Sequence, residues 1–262
     1  MKKHIYFMFT FVVMTYSFSS CQKVIQLKLN TSSSQIVIQG NIYDHPGPYE
    51  VNISKSVNFD QSNVYPAVTG ATVTIADDRG YSNILTETSP GTFVTSSLQG
   101  FSGRTYTLTV NAEGQMYTAN STLPNPVSPD SIYFEKSPYG KDKLLTIKFL
   151  DPGDSINFYR LVEFVNRDQQ QSFNIVSDKF YNGNPIIYRF SSTINDDKKL
   201  ATGDSVTVWL ESIDKNVYEY FRTLRRDGGQ STSPANAVSN ISNGALGYFS
   251  ASPVRKISIV VP

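Results

Sequence analysis

The chain has 262 residues, with 23 Lys and Arg against 22 Asp and Glu, two His and a single Cys. So even a charge balance argues against a nucleic-acid or polyanion binder, which would carry a basic excess or patch. One cysteine excludes a disulfide within the chain and leaves any thiolate metal site with a single ligand, so Cys21 needs another explanation. A chain of this length buries roughly 70% or more of its unfolded surface and needs no covalent staple to fold.

The residues ahead of Cys21 supply the explanation. Lys2 and Lys3 form a short positive region, Ile5 to Met14 is apolar apart from Thr10, and the run to Ser20 ends in small polar residues. That is the build of a secretion signal. It is too short for a membrane helix, which wants about 20 apolar residues. The stretch "FSSCQKV" resembles a bacterial lipoprotein signal, although Phe18 stands where Leu is usual. The resemblance implies that residues 1–20 are removed and that Cys21 becomes an N-terminus carrying diacylglycerol and palmitate. An ordinary secretion signal with a chance cysteine is the alternative. Two or more acyl chains hold a protein firmly at a membrane, where one holds only marginally. Without Lys2 and Lys3 the 23 basic residues fall below the 22 acidic ones, and the net charge lies near −1.

Residues 21–35, "CQKVIQLKLNTSSSQ", turn polar after Leu29 and read as a flexible, lipidated tether. From "IVIQGNIY" onward the period becomes two. Tyr49, Val51, Ile53 and Val57 alternate with polar residues, as do Val73 and Ile75, and then Tyr106, Leu108, Val110 and Ala112. Such alternation marks half-buried strands. Between them "DHPGP", "DDRGYS", "SPGT", "GFSGR" and "NAEGQ" carry the Gly, Pro, Asn and Asp of tight turns. Short strands with regular turns predict an Ig-like β-sandwich over 36–126, ending at the proline-rich "LPNPVSPDS". Residues 127–262 predict a second β-rich domain, with strands such as "LLTIKFL", "FYRLVEFVN" and "SVTVWLESI". One short helix is expected near 214–227: Asp214 caps it, Val217, Tyr220, Phe221 and Leu224 fall at helical spacing, and Gly228 and Gly229 end it.

Taken in order, "CQKVIQLKL", "PAVTGATVTIADDRG", "GRTYTLTV", "STLPNPVSPDSIYF", "YEYFRTL" and "NISNGALGYFSA" resemble the domain of unknown function 4249 family, outer-membrane lipoproteins of Gram-negative bacteria. The resemblance covers nearly the whole chain after the signal. It implies a lipid-anchored protein of the outer membrane, without assigned enzymatic activity, that works beside a TonB-dependent receptor in nutrient uptake. The first acidic residue after Cys21 is Asp44, where surface-displayed lipoproteins often have acids directly after the cysteine. Both faces of the outer membrane therefore stay open, and so does the identity of any small-molecule or glycan ligand.

Catalysis has little to work with. His45 is the sole histidine after the signal and lies in the turn "YDHPGP", so a Ser-His-Asp arrangement would depend on a turn residue. The pairs Asp77/Asp78, Asp151/Asp154 and Asp196/Asp197 sit beside Gly, Pro or Lys, where Asp serves turns. "DPGDS" lacks the ligand density of a calcium loop. No catalytic residue, metal set or cofactor is expected, a carbohydrate-active enzyme and a structural or adhesive module being the competing classes. For binding, Tyr181, Tyr188, Tyr218, Tyr248 and Phe249 invite inspection. "SNISNGALGYFSA" reads either as a partner-binding loop, with Asn240, Asn243, Gly244, Gly247, Tyr248 and Phe249 as its candidate residues, or as a hairpin followed by a strand. Ser131, Ser155 and Ser205 stand in Asp-Ser-apolar triplets that resemble a bacterial O-glycosylation acceptor.

Overall fold

A computed structural model describes residues 33–58, 64–136, 143–190, 193–194, 198–227 and 236–262. The expected signal, Cys21, nearly all of the expected tether, the Asp196/Asp197 pair and the glycines expected to end the helix lie outside them. Ser34–Pro262 form one compact unit. The expectation of a mostly β chain with one short helix holds within it.

Alternation builds the first pair of sheets. One contains β1 (Ile36–Tyr43), β2 (Glu50–Lys55), β5 (Thr86–Ser89) and β6 (Thr92–Val94); the other contains β3 (Thr72–Asp77), β4 (Ser82–Ile84), β7 (Thr105–Ala112) and β8 (Gln115–Thr122). Ile38, Ile42, Val51, Ile53 and Phe93 of the first share a core with Val73, Ile75, Leu108 and Val110 of the second. Each is essentially sealed from water. Burying a side chain of this size contributes about 1.5–3 kcal/mol.

A second pair of sheets follows. β9 (Pro129–Lys136), β10 (Lys143–Leu150) and β14 (Pro185–Arg189) form one, in the order β14-β10-β9. In the other, β11 (Phe158–Val165) carries β12 (Asp168–Gln169) and β13 (Asn174–Ser177) on one side and β17 (Ser205–Ile213) on the other, with β19 (Val254–Val260) beyond. A two-strand ladder of β15 (Thr193–Ile194) and β16 (Lys198–Lys199) stands apart. Leu145, Ile147, Phe149, Leu161, Val206, Val208 and Leu210 make the second core.

The last strands do not stay with the second half. β18 (Leu246–Ser252) runs parallel to β1 at the edge of the first sheet, so that Val37 faces Leu246 and Tyr43 faces Ser252. The chain crosses the turn-rich stretch near residue 126 and returns before β19 rejoins the second half. A parallel neighbour needs a long crossover, and here that crossover is more than half of the chain.

The helix α1 (Lys215–Asp227) begins where its cap predicts. Asp214 Oδ1 accepts from the backbone N–H of Asn216 at 2.8 Å and of Val217 at 3.0 Å, satisfying donors that a first turn leaves open. Its apolar stripe, Val217, Tyr220 and Phe221, packs with Ile175, Ile213 and Tyr248, and Leu224 completes it half-buried. The helix thereby closes the space between β18 and the second pair of sheets.

Candidate docking site

The segment from Asn240 to Phe249 proves to be sheet and seam. Asn240 donates from Nδ2 to the carbonyl of Phe249 at 2.8 Å and accepts from the N–H of the same residue at 3.0 Å. One amide side chain thus supplies the bonds that another strand would make and closes part of the β18 edge, which otherwise invites pairing with a second chain. Asn243 Nδ2 donates to Met116 O, and Ser242 N donates to Thr118 O at 2.8 Å. Both tie the segment to β8. Gly244 has φ +72° in open space. Gly247, with φ +98°, lies so close to β1 that a Cβ would overlap the Ile38 carbonyl oxygen. Only glycine permits that approach.

The strand alternative is the one the chain adopts, and the two aromatics of the candidate binding loop are inside. Phe249 is fully buried in the first core and Tyr248 is 8% exposed against Tyr220 and Phe221 of α1. The placement is a correction with a clear cause: "ALGYFSAS" is covered on one face by the first core and on the other by the helix, and neither cover is local in sequence. Tyr218 is half-buried with its ring tilted against that of Phe158, and Tyr188 donates to Asn174 Oδ1 at 3.0 Å. Of these four tyrosines Tyr181 alone is exposed rather than half-buried or buried.

His45 is exposed, with Nδ1 at 3.3 Å from the Tyr49 hydroxyl. Asp77 caps its own turn, accepting from Arg79 N and Tyr81 N, and pairs with Arg104 at 2.7 Å. Among the described residues no group of three or more His, Cys, Asp or Glu is placed to hold a metal ion. Ser155 lies on an exposed turn, Ser205 is exposed at the start of β17, and Ser131 is half-buried within β9.

An exposed apolar face does exist, at the end of the second pair of sheets where loops 150–157 and 178–185 meet. Asp151 and Asp178 are both fully buried there. Asp151 accepts from the Tyr159 hydroxyl at 2.5 Å and from Gly183 N at 3.1 Å, while Asp178 Oδ2 accepts from Asn157 N at 2.8 Å. Burial, and then the neighbouring Asp151 carboxyl, push the Asp178 carboxyl up, against the opposing pull of the Asn157 N–H. Gly153 and Gly183 touch backbone to backbone. These bonds hold a turn whose tip is Phe180, 84% exposed.

Other exposed apolar groups lie on the same two loops and the strands that flank them. Ile156 is 61% and Leu150 54% exposed, and Tyr181 and Ile187 are also open to solvent. Leu150 pairs with Pro185 and Lys148 with Ile187, which puts Leu150 and Ile187 on the same outer face of the sheet. Single exposed apolar residues are ordinary, whereas several gathered on a fixed frame mark an interaction site. Of the exposed apolar groups on this face, Tyr181 alone is a candidate from the sequence. The signal it passed over was "KFYNGN": two adjacent aromatics inside a turn of Asn and Gly, where a turn needs neither.

A family model described as Domain of unknown function (DUF4249) matches residues 22–258. The chain belongs to that family. No curated protein matches it. The match bears out the resemblance carried by the ordered motifs, and it places both the β18 seam and the apolar end inside the DUF4249 region. No described helix of this DUF4249 chain is long and apolar enough to cross a membrane, which leaves strand-built spans unaddressed.

Proposed function

We propose that this chain is a non-enzymatic, lipid-anchored protein of the outer membrane that serves as an accessory to a TonB-dependent receptor, docking through the apolar end around Phe180. The observation that carries the reading is the exposed Phe180 on a turn fixed by buried polar bonds. A pre-organised surface loses little conformational freedom on binding, and aromatic anchors dominate interface energetics. The first pair of sheets suits an Ig-like sandwich to which β18 has been added. Anchorage through Cys21 would confine the chain to the receptor's membrane and raise the effective concentration of the partners, so a modest interface suffices.

Two experiments test this. Affinity purification of the tagged chain from its own detergent-solubilised outer membrane should recover a receptor of that class. Phe180→Asp combined with Tyr181→Ala should cut recovery at least about tenfold with an unchanged amount of chain in the membrane, since both side chains face solvent and leave the cores alone. Failure to recover a receptor even after cross-linking sinks the reading. Separately, Cys21→Ala should abolish acyl labelling and release the chain from membranes or leave its precursor uncleaved. An acylated, membrane-bound mutant would remove the anchor from the proposal.

A further inference from the structure

On the face of the first sheet away from its core, β1, β2, β18 and α1 enclose a groove of about 400 Å³. The volume falls within the roughly 300–1,000 Å³ of small-molecule sites. We infer that this groove binds an uncharged saccharide. The inference goes beyond receptor docking and uses a separate surface, since none of the groove residues belongs to the apolar end.

The lining decides the chemistry. None of its residues is an acid or a base, so nothing favours an ionic ligand. Gln39, Ser54, Ser56 and Asn236 supply amides and hydroxyls, while Tyr65, Tyr220 and Leu224 supply apolar and aromatic surface. The hydroxyls of Ser54 and Tyr65 and the Oδ1 of Asn236 have no hydrogen-bond partner among the described residues. A ligand that matches this set carries hydroxyls around its rim and a C–H face for an aromatic ring, which is the pattern of a neutral sugar.

Two other occupants fit worse. An acyl chain would cover the Ser54 and Tyr65 hydroxyls and the Asn236 Oδ1 without giving them partners, at a cost of about 1–3 kcal/mol each. A peptide adding to the sheet needs a free strand edge. β1 is paired on both sides, by β18 and β2, and β2 by β1 and β6. The outer edge of β18 is engaged by Asn240 and Ser239, the latter donating to Gly247 O at 2.9 Å. The groove therefore offers side chains, not a backbone ladder.

Isothermal titration of the full-length chain in detergent with maltotriose, cellotriose and mannotriose tests the inference, with trialanine and decanoate as comparators. At least one trisaccharide should bind, and Tyr65→Ala and Ser54→Ala should each weaken it tenfold or more. Tyr65 is 57% exposed, so its replacement spares the core, and an unchanged far-ultraviolet spectrum confirms that. Binding should survive Phe180→Asp, which separates this site from the docking end. Absence of binding by all three sugars, displacement of the sugar by trialanine or decanoate, or equal affinity in the variants overturns the inference.

Discussion

Replacing Arg160 with methionine should destabilise the folded chain by about 3–5 kcal/mol, the range for removing one partner of a buried ion pair. Arg160 Nη1 lies 3.2 Å from Glu211 Oε2, and both side chains are almost wholly buried where the first sheet, the second pair of sheets and the helix converge. The guanidinium also sits 4.3 Å from the centre of the Phe221 ring, a cation–π contact strengthened by desolvation. Burial pushes the Glu211 carboxyl up and Arg160 opposes it. In the single variant Glu211 is left without its counter-charge and must take a proton or stay buried as an anion. The double change Arg160→Met with Glu211→Leu should recover most of the loss, because two apolar groups of similar volume replace a pair that had to be desolvated. Urea unfolding followed by Trp209 fluorescence measures both. A loss below about 1 kcal/mol in the single variant would show that the pair is not what closes this junction.

Changing Glu163 to glutamine should stabilise the chain at pH 8 and leave it nearly unaltered at pH 4.5. Glu163 is 3% exposed, opposite Val208 on the strand whose Tyr159 and Leu161 enter the second core. Its Oε1 has no hydrogen-bond partner among the described residues. Burial pushes the carboxyl up from 4.5 to about 7. A carboxyl that holds its proton more tightly when folded contributes stability in full below its unfolded pKa. That contribution is lost as pH rises through the folded value, so here the loss runs from about pH 4.5 to about pH 7 and then levels off. The gap corresponds to about 3 kcal/mol. The amide of the Glu163→Gln variant would keep the shape and remove the titration, so denaturant midpoints for the two proteins should coincide at low pH and separate by about 1–3 kcal/mol above pH 7. A constant difference across that window would mean that the Glu163 carboxyl holds its proton no more tightly in the folded chain than in the unfolded one.

Local patterns were readable wherever the cause is local. Val73 and Ile75, and Tyr106, Leu108 and Val110, alternate because one side of a pleated strand faces the core, and each lies on the buried face of its strand. Asp214 bonds the donors two and three residues ahead, a geometry contained within four residues. The turn of "NAEGQ" carries positive φ at both Glu113 and Gly114, as a tight hairpin turn requires. The candidate site was readable only in fragments. Tyr181 stood out as an aromatic, but Phe180 looks the same in sequence as Phe249, and one is 84% exposed while the other is sealed.

By itself the sequence determined the strand-rich class, the capped helix, the turns and family membership, since each rests on residues within a few positions of one another or on their order. The tertiary structure alone decided that β18 crosses back to lie parallel to β1, and with it the burial of Tyr248 and Phe249. It also decided which charges are buried. Arg160 and Glu211 alternate with apolar neighbours as surface residues would, and they are enclosed because β18 and α1 arrive from far along the chain. Period two states that a strand has two different faces; what covers each face is a contact between distant segments, set by total burial and by pairing of buried charge, and no short stretch encodes it.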